Sequence, residues 1–186
     1  FLSEPQAAAF GGGAANLTLV NPISADLSVM RPSILPNLLA AAARNQDRGD
    51  ADVYLFEVGP VFLGDAPEDQ RTACSGLRHG ATAMREWHGT QRRVDVFDAK
   101  ADAEAALAAL GVRTGGLQVR AGGADYLHPG RSGQLVQGRT LLASFGEIHP
   151  KMLDDFGLRG VAVAFEMHLD DVPLPKARGP ARSLLT

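Results

Sequence analysis

The side chains best suited to metal chemistry are five histidines, and their spacing predicts no metal centre. They are His79, His88, His128, His149 and His168. No pair has the His-x-x-x-His separation that puts two imidazoles on one helix face, and the single cysteine, Cys74, has no metal-ligand spacing around it. His128 and His149 each precede a proline, a pattern typical of a turn and of a helix start. We therefore expect no metal ion in this domain.

Neither a phosphate-binding loop nor a nucleophile is indicated by the remaining motifs. A glycine triplet occupies positions 11–13, but no strand precedes it and no lysine followed by Ser or Thr completes a P-loop. Ser132 and Ser144 stand outside any Gly-x-Ser-x-Gly elbow. A mobile turn and ordinary hydroxyl groups account for these residues.

Two sets of polar side chains remain as candidate binding residues. The first could line a pocket between a sheet and its loops, with the sequence HPGR as an anion-binding turn; it consists of Arg31, Glu57, His128 and Arg131. The second could contact RNA, its guanidinium groups meeting phosphates and its indole stacking on a base; it consists of Arg85, Trp87, Arg92 and Arg93. A solvated charged face is the competing interpretation of the second set, because acidic residues are also abundant.

Composition places the chain among ordinary soluble domains. It has 186 residues, 45% hydrophobic and 21% charged, with a net charge of -3. This charge argues against binding to nucleic acid or to an anionic membrane by charge alone. A lone cysteine fits a reducing cytoplasm, and no apolar run reaches the ~20 residues of a membrane span. The chain begins at Phe1 without a signal peptide, and we expect it to be a piece of a longer protein.

The elements that must position these residues follow from hydrophobic periodicity. Apolar residues at helical spacing after Ser33 predict a helix that ends at Gly49. Residues 53–63 predict a strand that is broken or bent at Gly59-Pro60, and a second strand returns through TACSGLRHGA. Further strands are predicted in NLTLV, RRVDVFD, LQVRAG, GQLVQGRTLLASFGEI (two) and GVAVAFEMHLDDV, and further helices in AKADAEAALAALGV and HPKMLDDFGL. The pattern predicts an α+β fold with a mostly antiparallel sheet flanked by helices.

The same pattern of elements along the sequence also predicts the domain organisation. Residues 1–172 form one core domain, and residues 173–186, PLPKARGPARSLLT, form a linker toward a further C-terminal domain. In the last strand, Val161, Val163, Phe165 and Met167 face one side, and Ala162, Ala164, Glu166 and His168 face the other.

Several blocks together resemble the beta chain of bacterial phenylalanyl-tRNA synthetase, in its catalytic-like core domain. They are NPIS…MRPSILPNLL, YLFEVGPVF, VDVFDAKADAEAALAALGV, HPGRS…GEIHP and VAVAFEMHLDDVPLP, in this order. The resemblance covers nearly the whole chain and implies a fold like that of class II aminoacyl-tRNA synthetase catalytic domains.

The resemblance also implies that this domain does not catalyse. In active class II enzymes, the strand that matches FEVGPVF continues into Arg-x-Glu, and the arginine holds the α-phosphate of ATP. Here the matching position is Leu63, followed by Gly64 and Asp65. A leucine cannot donate a hydrogen bond, and losing such a contact costs about 3 kcal/mol. The second family arginine, in Gly-x-Gly-x-x-Arg, is also missing, because Pro173 and Pro175 follow the last strand.

The function that the resemblance implies is support for assembly. The domain would pack against a catalytic alpha chain in an (αβ)₂ heterotetramer and help to charge tRNA(Phe) with phenylalanine. ATP and magnesium would belong to the parent complex, with no cofactor in this domain, no membrane and a cytoplasmic location. Two alternatives stay open: a small ligand-binding class II paralogue, and a stand-alone RNA-binding module.

Overall fold

The computed structural model describes residues 1–82 and 91–173. Its α-helices are α1 (Glu4–Ala9), α2 (Leu35–Asp47), α3 (Val96–Ala109) and α4 (Pro150–Asp155). Its strands are β1 (Val53–Phe62), β2 (Gln70–His79), β3 (Gln118–Ala121), β4 (Leu127–Gln137), β5 (Thr140–Ile148) and β6 (Ala162–His168). Short 3₁₀ turns span Ala15–Leu17, Ala25–Leu27, Pro67–Asp69, Thr114–Gly116 and Leu169–Asp171.

One six-stranded sheet organises the described residues, in the order β1-β2-β6-β5-β4-β3. Every neighbouring pair is antiparallel. Helix α2 packs on β1 and β2, whereas α3 packs on β5, β6 and β2 from the opposite side. We refer to these two sides as the α2 face and the α3 face. The predicted α+β class with an antiparallel sheet is confirmed.

Helix α2 forms where the apolar spacing predicts it. The Ser33 hydroxyl accepts a hydrogen bond from the Leu35 amide at 3.1 Å, and Pro36 lies in the first turn, where no intrahelical donor is lost. The apolar side of the helix is buried, with Leu35 1% and Leu39 0% exposed, so this face belongs to the core. The helix ends before Gly49, whose φ of 99° suits glycine.

The sheet buries residues on both faces, which is why β6 is apolar on both sides. Ala162 and Ala164 join the core under α2, and Val163, Phe165 and Met167 join the core under α3. This is the alternation that the sequence predicts. In β1 the same alternation puts Val53, Glu57, Gly59 and Val61 on the α2 face and Tyr54, Phe56 and Val58 on the α3 face.

Three local predictions need correction, and one helix was missed. NLTLV is not a strand: it forms the turn Ala15–Leu17 and a single bridge from Thr18 to Val29. RRVDVFD is not a strand either, because Asp95 and Asp98 form a capping box that starts α3 at Val96. β1 runs without a break through Gly59-Pro60, since an edge strand tolerates a proline. Helix α1, before the glycine triplet, was not predicted.

None of the helices in the described part of the chain combines the length and the apolar run that crossing a membrane demands.

Candidate functional site

The candidate site lies on the α2 face at the end of β1, where the sequence predicts a lost arginine position. Leu63 follows the last residue of β1 and is 54% exposed. Its amide donates a hydrogen bond to the carbonyl of Asp69 at 3.0 Å. The Asp69 side chain lies against Gly64, where a Cβ would come within 2.7 Å of the carboxylate carbon. The end of β1 therefore presents an aliphatic side chain beside a carboxylate, which repels phosphate.

Arg31 is tied to β1 and to the first turns of α2 through two of its three guanidinium nitrogens. Its Nε donates to the Pro60 carbonyl at 2.9 Å, and its Nη1 lies 2.7 Å from Oε1 of Glu57 and 3.3 Å from Oδ1 of Asn37. A Cβ at Gly59 would lie 2.6 Å from Nη2, so only glycine leaves room for the guanidinium. Because Nε and Nη1 already have acceptors, these contacts hold the Arg31 guanidinium against β1 as a structural cation.

Glu166 is the centre of a buried hydrogen-bond network on the same face. Its carboxylate accepts from the Ser33 hydroxyl at 2.8 Å, from the Ser75 hydroxyl at 2.8 Å and from the Ile34 amide at 3.1 Å. Ser33 and Ser75 are 2% and 0% exposed. The network joins the first turn of α2 to β2 and β6, and the negative charge lies at the helix N-terminus, where it is favoured. Glu166 therefore acts as a structural staple.

Aromatic side chains cover the rest of this face. Phe10, which follows α1, stacks on Tyr126 with ring centroids 4.6 Å apart and meets Phe156 edge-on at 6.2 Å. Burial raises the pKa of the Tyr126 phenol, and the nearby charge of Glu166 raises it further. Phe10 belongs to the same core cluster as Val61 on β1. The chain's own side chains thus fill the space over this part of the α2 face.

A cavity of about 160 Å³ remains beside Tyr126. Its ionisable lining is Glu166, His168 and Asp171, which does not suit a triphosphate. A second cavity, of about 420 Å³, adjoins Gly64 and Asp65, and its lining contains no lysine or arginine.

The α3 face carries an apolar groove of about 450 Å³ between β1, β2 and α3. Its exposed rim includes Phe56 and Val58, 78% and 53% exposed. Its charged groups are Arg78 and Asp102, which bond each other through two hydrogen bonds of 2.5 and 2.6 Å. The Asp102 carboxylate raises the pKa of Arg78. The groove also contains the free thiol of Cys74, and burial raises the pKa of this thiol, which disfavours a reactive thiolate.

The structure divides the predicted pocket lining into two separate pairs. Arg31 and Glu57 form an ion pair on β1, whereas His128 and Arg131 lie on β4. Four strand spacings separate β4 from β1, a distance of about 19 Å, so the four residues do not converge. Arg131 bonds Glu147 at 2.5 and 2.8 Å, which raises the pKa of Arg131.

The sequence HPGR lies within β4, and one of its amides already has an acceptor. Nδ1 of His128 accepts a hydrogen bond from the Gly130 amide at 3.1 Å, so this amide is unavailable to a ligand. The His128 ring lies parallel to that of His149, with centroids 6.4 Å apart.

The predicted RNA-contact residues fall partly outside the described residues, which contain neither Arg85 nor Trp87. Arg92 bonds Asp98 through two hydrogen bonds of 2.7 Å and Asp95 at 3.3 Å. Arg93 is exposed, and its side chain has no hydrogen-bond or ion-pair partner within residues 1–82 and 91–173.

Sequence reasoning missed the staple and the aromatic cover. The signal for Glu166 was present, because alternation in β6 places this carboxylate on the same buried face as Ala164. Its partners Ser33 and Ser75 are 133 and 91 residues away in sequence and are found only from the register of the sheet. Among the described residues, no group of three or more His, Cys, Asp or Glu side chains is arranged to hold a metal ion.

Comparison with known proteins assigns this arrangement to a family. Residues 1–169 match the family model described as the phenylalanyl tRNA synthetase beta chain CLM domain. Phenylalanine--tRNA ligase beta subunits from Brucella suis and Rhodospirillum rubrum are 51% and 53% identical over 99% and 96% of this chain. These alignments cover 24% and 22% of the two relatives, so the chain spans about a quarter of their length.

Solved structures support the fold independently of sequence. A pyrrolysyl tRNA synthetase from Desulfitobacterium hafniense superposes with a TM-score of 0.64 at 18% identity, over 92% of this chain and 58% of that one. The structural neighbours are class II tRNA synthetases, which confirms the fold class expected from the sequence.

Proposed function

The chain belongs to the family of phenylalanyl-tRNA synthetase beta chains, as their CLM domain, and from this membership we propose that it is a non-catalytic scaffold within a tRNA-charging complex. The sheet of a class II synthetase is retained, while the groups that would hold ATP are absent from the end of β1. The domain thus supplies a rigid surface and leaves chemistry to a partner.

The observation that carries this proposal is that the end of β1 presents a carboxylate and an aliphatic side chain instead of a positively charged group. Leu63 provides no donor, the Asp69 carboxylate lies beside it, and Arg31 is committed to Glu57 and the Pro60 carbonyl. A triphosphate bound here would face an uncompensated carboxylate instead of a preorganised cation, at a cost on the order of 3 kcal/mol per lost contact.

The residues present therefore do not fit ATP or magnesium, which we assign to the parent complex. Magnesium is normally held through carboxylates together with substrate phosphates. Without a phosphate-binding group, the carboxylates near Leu63 have no nucleotide to share the ion with. The parent enzyme would take its ATP and magnesium at the catalytic alpha chain.

The partners in this proposal are an alpha chain and tRNA. Two alpha and two beta chains would form the assembly, in the cytoplasm, and residues 173–186 would connect the scaffold to a further domain. The relatives' name as ligase beta subunits supports an alpha-chain partner. The Glu166 staple and the double-sided core support the rigidity that a scaffold requires.

Pyrophosphate exchange tests the proposal. The chain is assayed for phenylalanine-dependent ATP–pyrophosphate exchange alone, and again with a catalytic alpha chain. We expect no exchange by the chain alone at any substrate concentration. A cooperative urea transition in the same preparation establishes that the inactive chain is folded. Exchange above the no-enzyme background without alpha chain would refute a non-catalytic role and favour the small ligand-binding paralogue.

A further inference from the structure

A polar cleft of about 450 Å³ lies at the opposite end of the sheet from Leu63, where β1 begins and β2 ends. Its floor includes His79, which is 3% exposed. Its walls include Asp52, Arg92, Arg93 and Arg159. This cleft is separate from the candidate site, and the scaffold role gives it no task.

Two guanidinium groups of this cleft have no partner among the residues that the structure describes. Arg93 and Arg159 are both exposed, and within residues 1–82 and 91–173 neither side chain has a hydrogen-bond or ion-pair partner. Arg92 differs, because Asp98 and Asp95 hold its guanidinium. Two cations in one cleft are thus available to a ligand.

The backbone that carries both arginines is fixed by hydrogen bonds. The Arg159 amide donates to Oε1 of Gln46 at 3.0 Å, and its carbonyl accepts from Nε2 of the same side chain at 2.8 Å. A ring nitrogen of His79 lies 2.9 Å from the Arg159 carbonyl. Arg93 pairs with Ala81 through a β-bridge. The two arginines are therefore presented from a firm framework, which limits the ordering required on binding.

The carboxylate in the cleft does not cancel these charges. Asp52 uses Oδ1 to accept the Ala81 amide at 2.7 Å, which ties it to the wall. Asp95 and Asp98 are committed to Arg92 and to the start of α3. The lining consequently keeps a local positive excess in a chain whose net charge is -3.

We propose that Arg93 and Arg159 form a contact site for the phosphate backbone of RNA. Guanidinium groups match phosphate oxygens geometrically and are weakly hydrated, which makes arginine suited to this ligand. The proposal deepens the scaffold function by naming its RNA-contacting surface, and it rests on that function only for the identity of the RNA. The sequence alone groups Arg92 with Arg93 as RNA-contact residues. In the structure-based proposal, Arg159 takes the place of Arg92.

A polyanion fits this cleft better than a single phosphate. Exposed ion pairs are screened by solvent, so one small anion would gain little from either arginine. A nucleic-acid backbone instead releases condensed counterions at each phosphate that is neutralised, and this gain adds over several contacts. The predicted signature is a salt dependence that decreases when either arginine is removed.

The test measures binding of the chain to fluorescein-labelled tRNA(Phe) transcript by anisotropy between 50 and 200 mM salt. The variants are Arg93→Gln, Arg159→Gln and their combination. Arg139→Gln is the matched control, because Arg139 is an exposed arginine on the β4–β5 turn. Arg92→Gln is a second control inside the cleft, since its guanidinium already bonds Asp98.

We expect each of the first two substitutions to reduce the slope of log affinity against log salt by about 0.7–0.9, and the double variant by about twice that. The affinity of the unmodified chain would then fall about tenfold more than that of the double variant over this salt range. Unchanged slopes in both variants, an equal reduction in Arg139→Gln, or no binding at 50 mM salt would each overturn the proposal.

The readouts keep this proposal distinct from the scaffold function. RNA binding with the expected slopes together with pyrophosphate exchange by the chain alone would refute the scaffold function and leave the RNA site standing. If the chain alone shows no pyrophosphate exchange and the salt slopes of the variants are unchanged, the RNA site is refuted and the scaffold function stands. Equal affinity and equal slopes for a DNA duplex of matched charge would replace the RNA proposal with nonspecific polyanion binding.

Discussion

Removal of the Glu166 carboxylate should destabilise the whole domain, because three donors end on it. In Glu166→Ala, the Ile34 amide and the hydroxyls of Ser33 and Ser75 lose their acceptor in a buried environment, and Ser33 keeps only the hydrogen bond that it accepts from the Leu35 amide. An unsatisfied buried donor costs about 1–3 kcal/mol. The two fully buried donors therefore predict a loss of about 3 kcal/mol in the free energy of unfolding, out of a total of about 5–15 kcal/mol.

The assay is urea denaturation followed by circular dichroism, with thermal unfolding as a second readout. A loss of about 3 kcal/mol corresponds to a fall in Tm of roughly 6–12 °C for a chain of this size. Glu166→Gln keeps one accepting oxygen and should lose about half as much. Glu68→Ala, an exposed glutamate in the turn Pro67–Asp69, is the control and should stay within about 0.5 kcal/mol of wild type.

A double-mutant cycle identifies the cause of the loss. Ser75→Ala combined with Glu166→Ala should destabilise by at least 0.5 kcal/mol less than the sum of the single variants, roughly the size expected for residues in contact. If Glu166→Ala unfolds within about 0.5 kcal/mol of wild type, the carboxylate is not a structural staple, and a ligand-binding role for Glu166 becomes the better explanation.

Three other substitutions test the remaining parts of the site. Phe10→Ala should cost about 3 kcal/mol in urea denaturation, because it empties the space against Tyr126. Leu63→Arg should not create saturable ATP binding in calorimetry, because a carboxylate already lies beside that position. Arg92 lowers the pKa of the Asp98 carboxyl below its usual 3.8, so Asp98→Asn should cost about 0.5–1 kcal/mol at pH 7 after solvent screening. The protonated wild type loses the same contribution, so this difference should shrink as pH falls from about 4 to 2, and a constant difference would contradict the pairing.

Local elements were predictable because their signals are local. The apolar stripe of α2 and the alternation of β6 follow from periods of 3.6 and 2 residues, and both appear in the structure where the sequence predicts them. The strand predicted in RRVDVFD was wrong. Its alternating valines suggested a strand, but the capping box of Asp95 and Asp98 favours the start of a helix. Helix α1 has a similar box from Ser3 and Gln6, which the neighbouring glycine triplet obscured.

The candidate site was predictable only in part, since its residues meet through tertiary packing. The lack of a cation at Leu63 follows from the resemblance to the family, and the structure adds the Asp69 carboxylate beside it. Arg31 and Glu57 were expected to line a pocket, but their ion pair depends on Gly59 leaving room. That Arg159 has no side-chain partner in the described part of the chain depends on the path of the chain into β6, which has no signature in the sequence.

Calorimetric titration with ATP and magnesium tests the central claim most directly, because it measures binding without requiring catalysis. The account predicts no saturable heat up to about 1 mM ATP, the concentration that corresponds to a binding free energy of about −4 kcal/mol. Saturable one-to-one binding at lower concentrations would contradict it. Loss of that binding in Arg71→Gln, whose residue is paired with Val61 across β1 and β2, would identify a compensating cation on the α2 face.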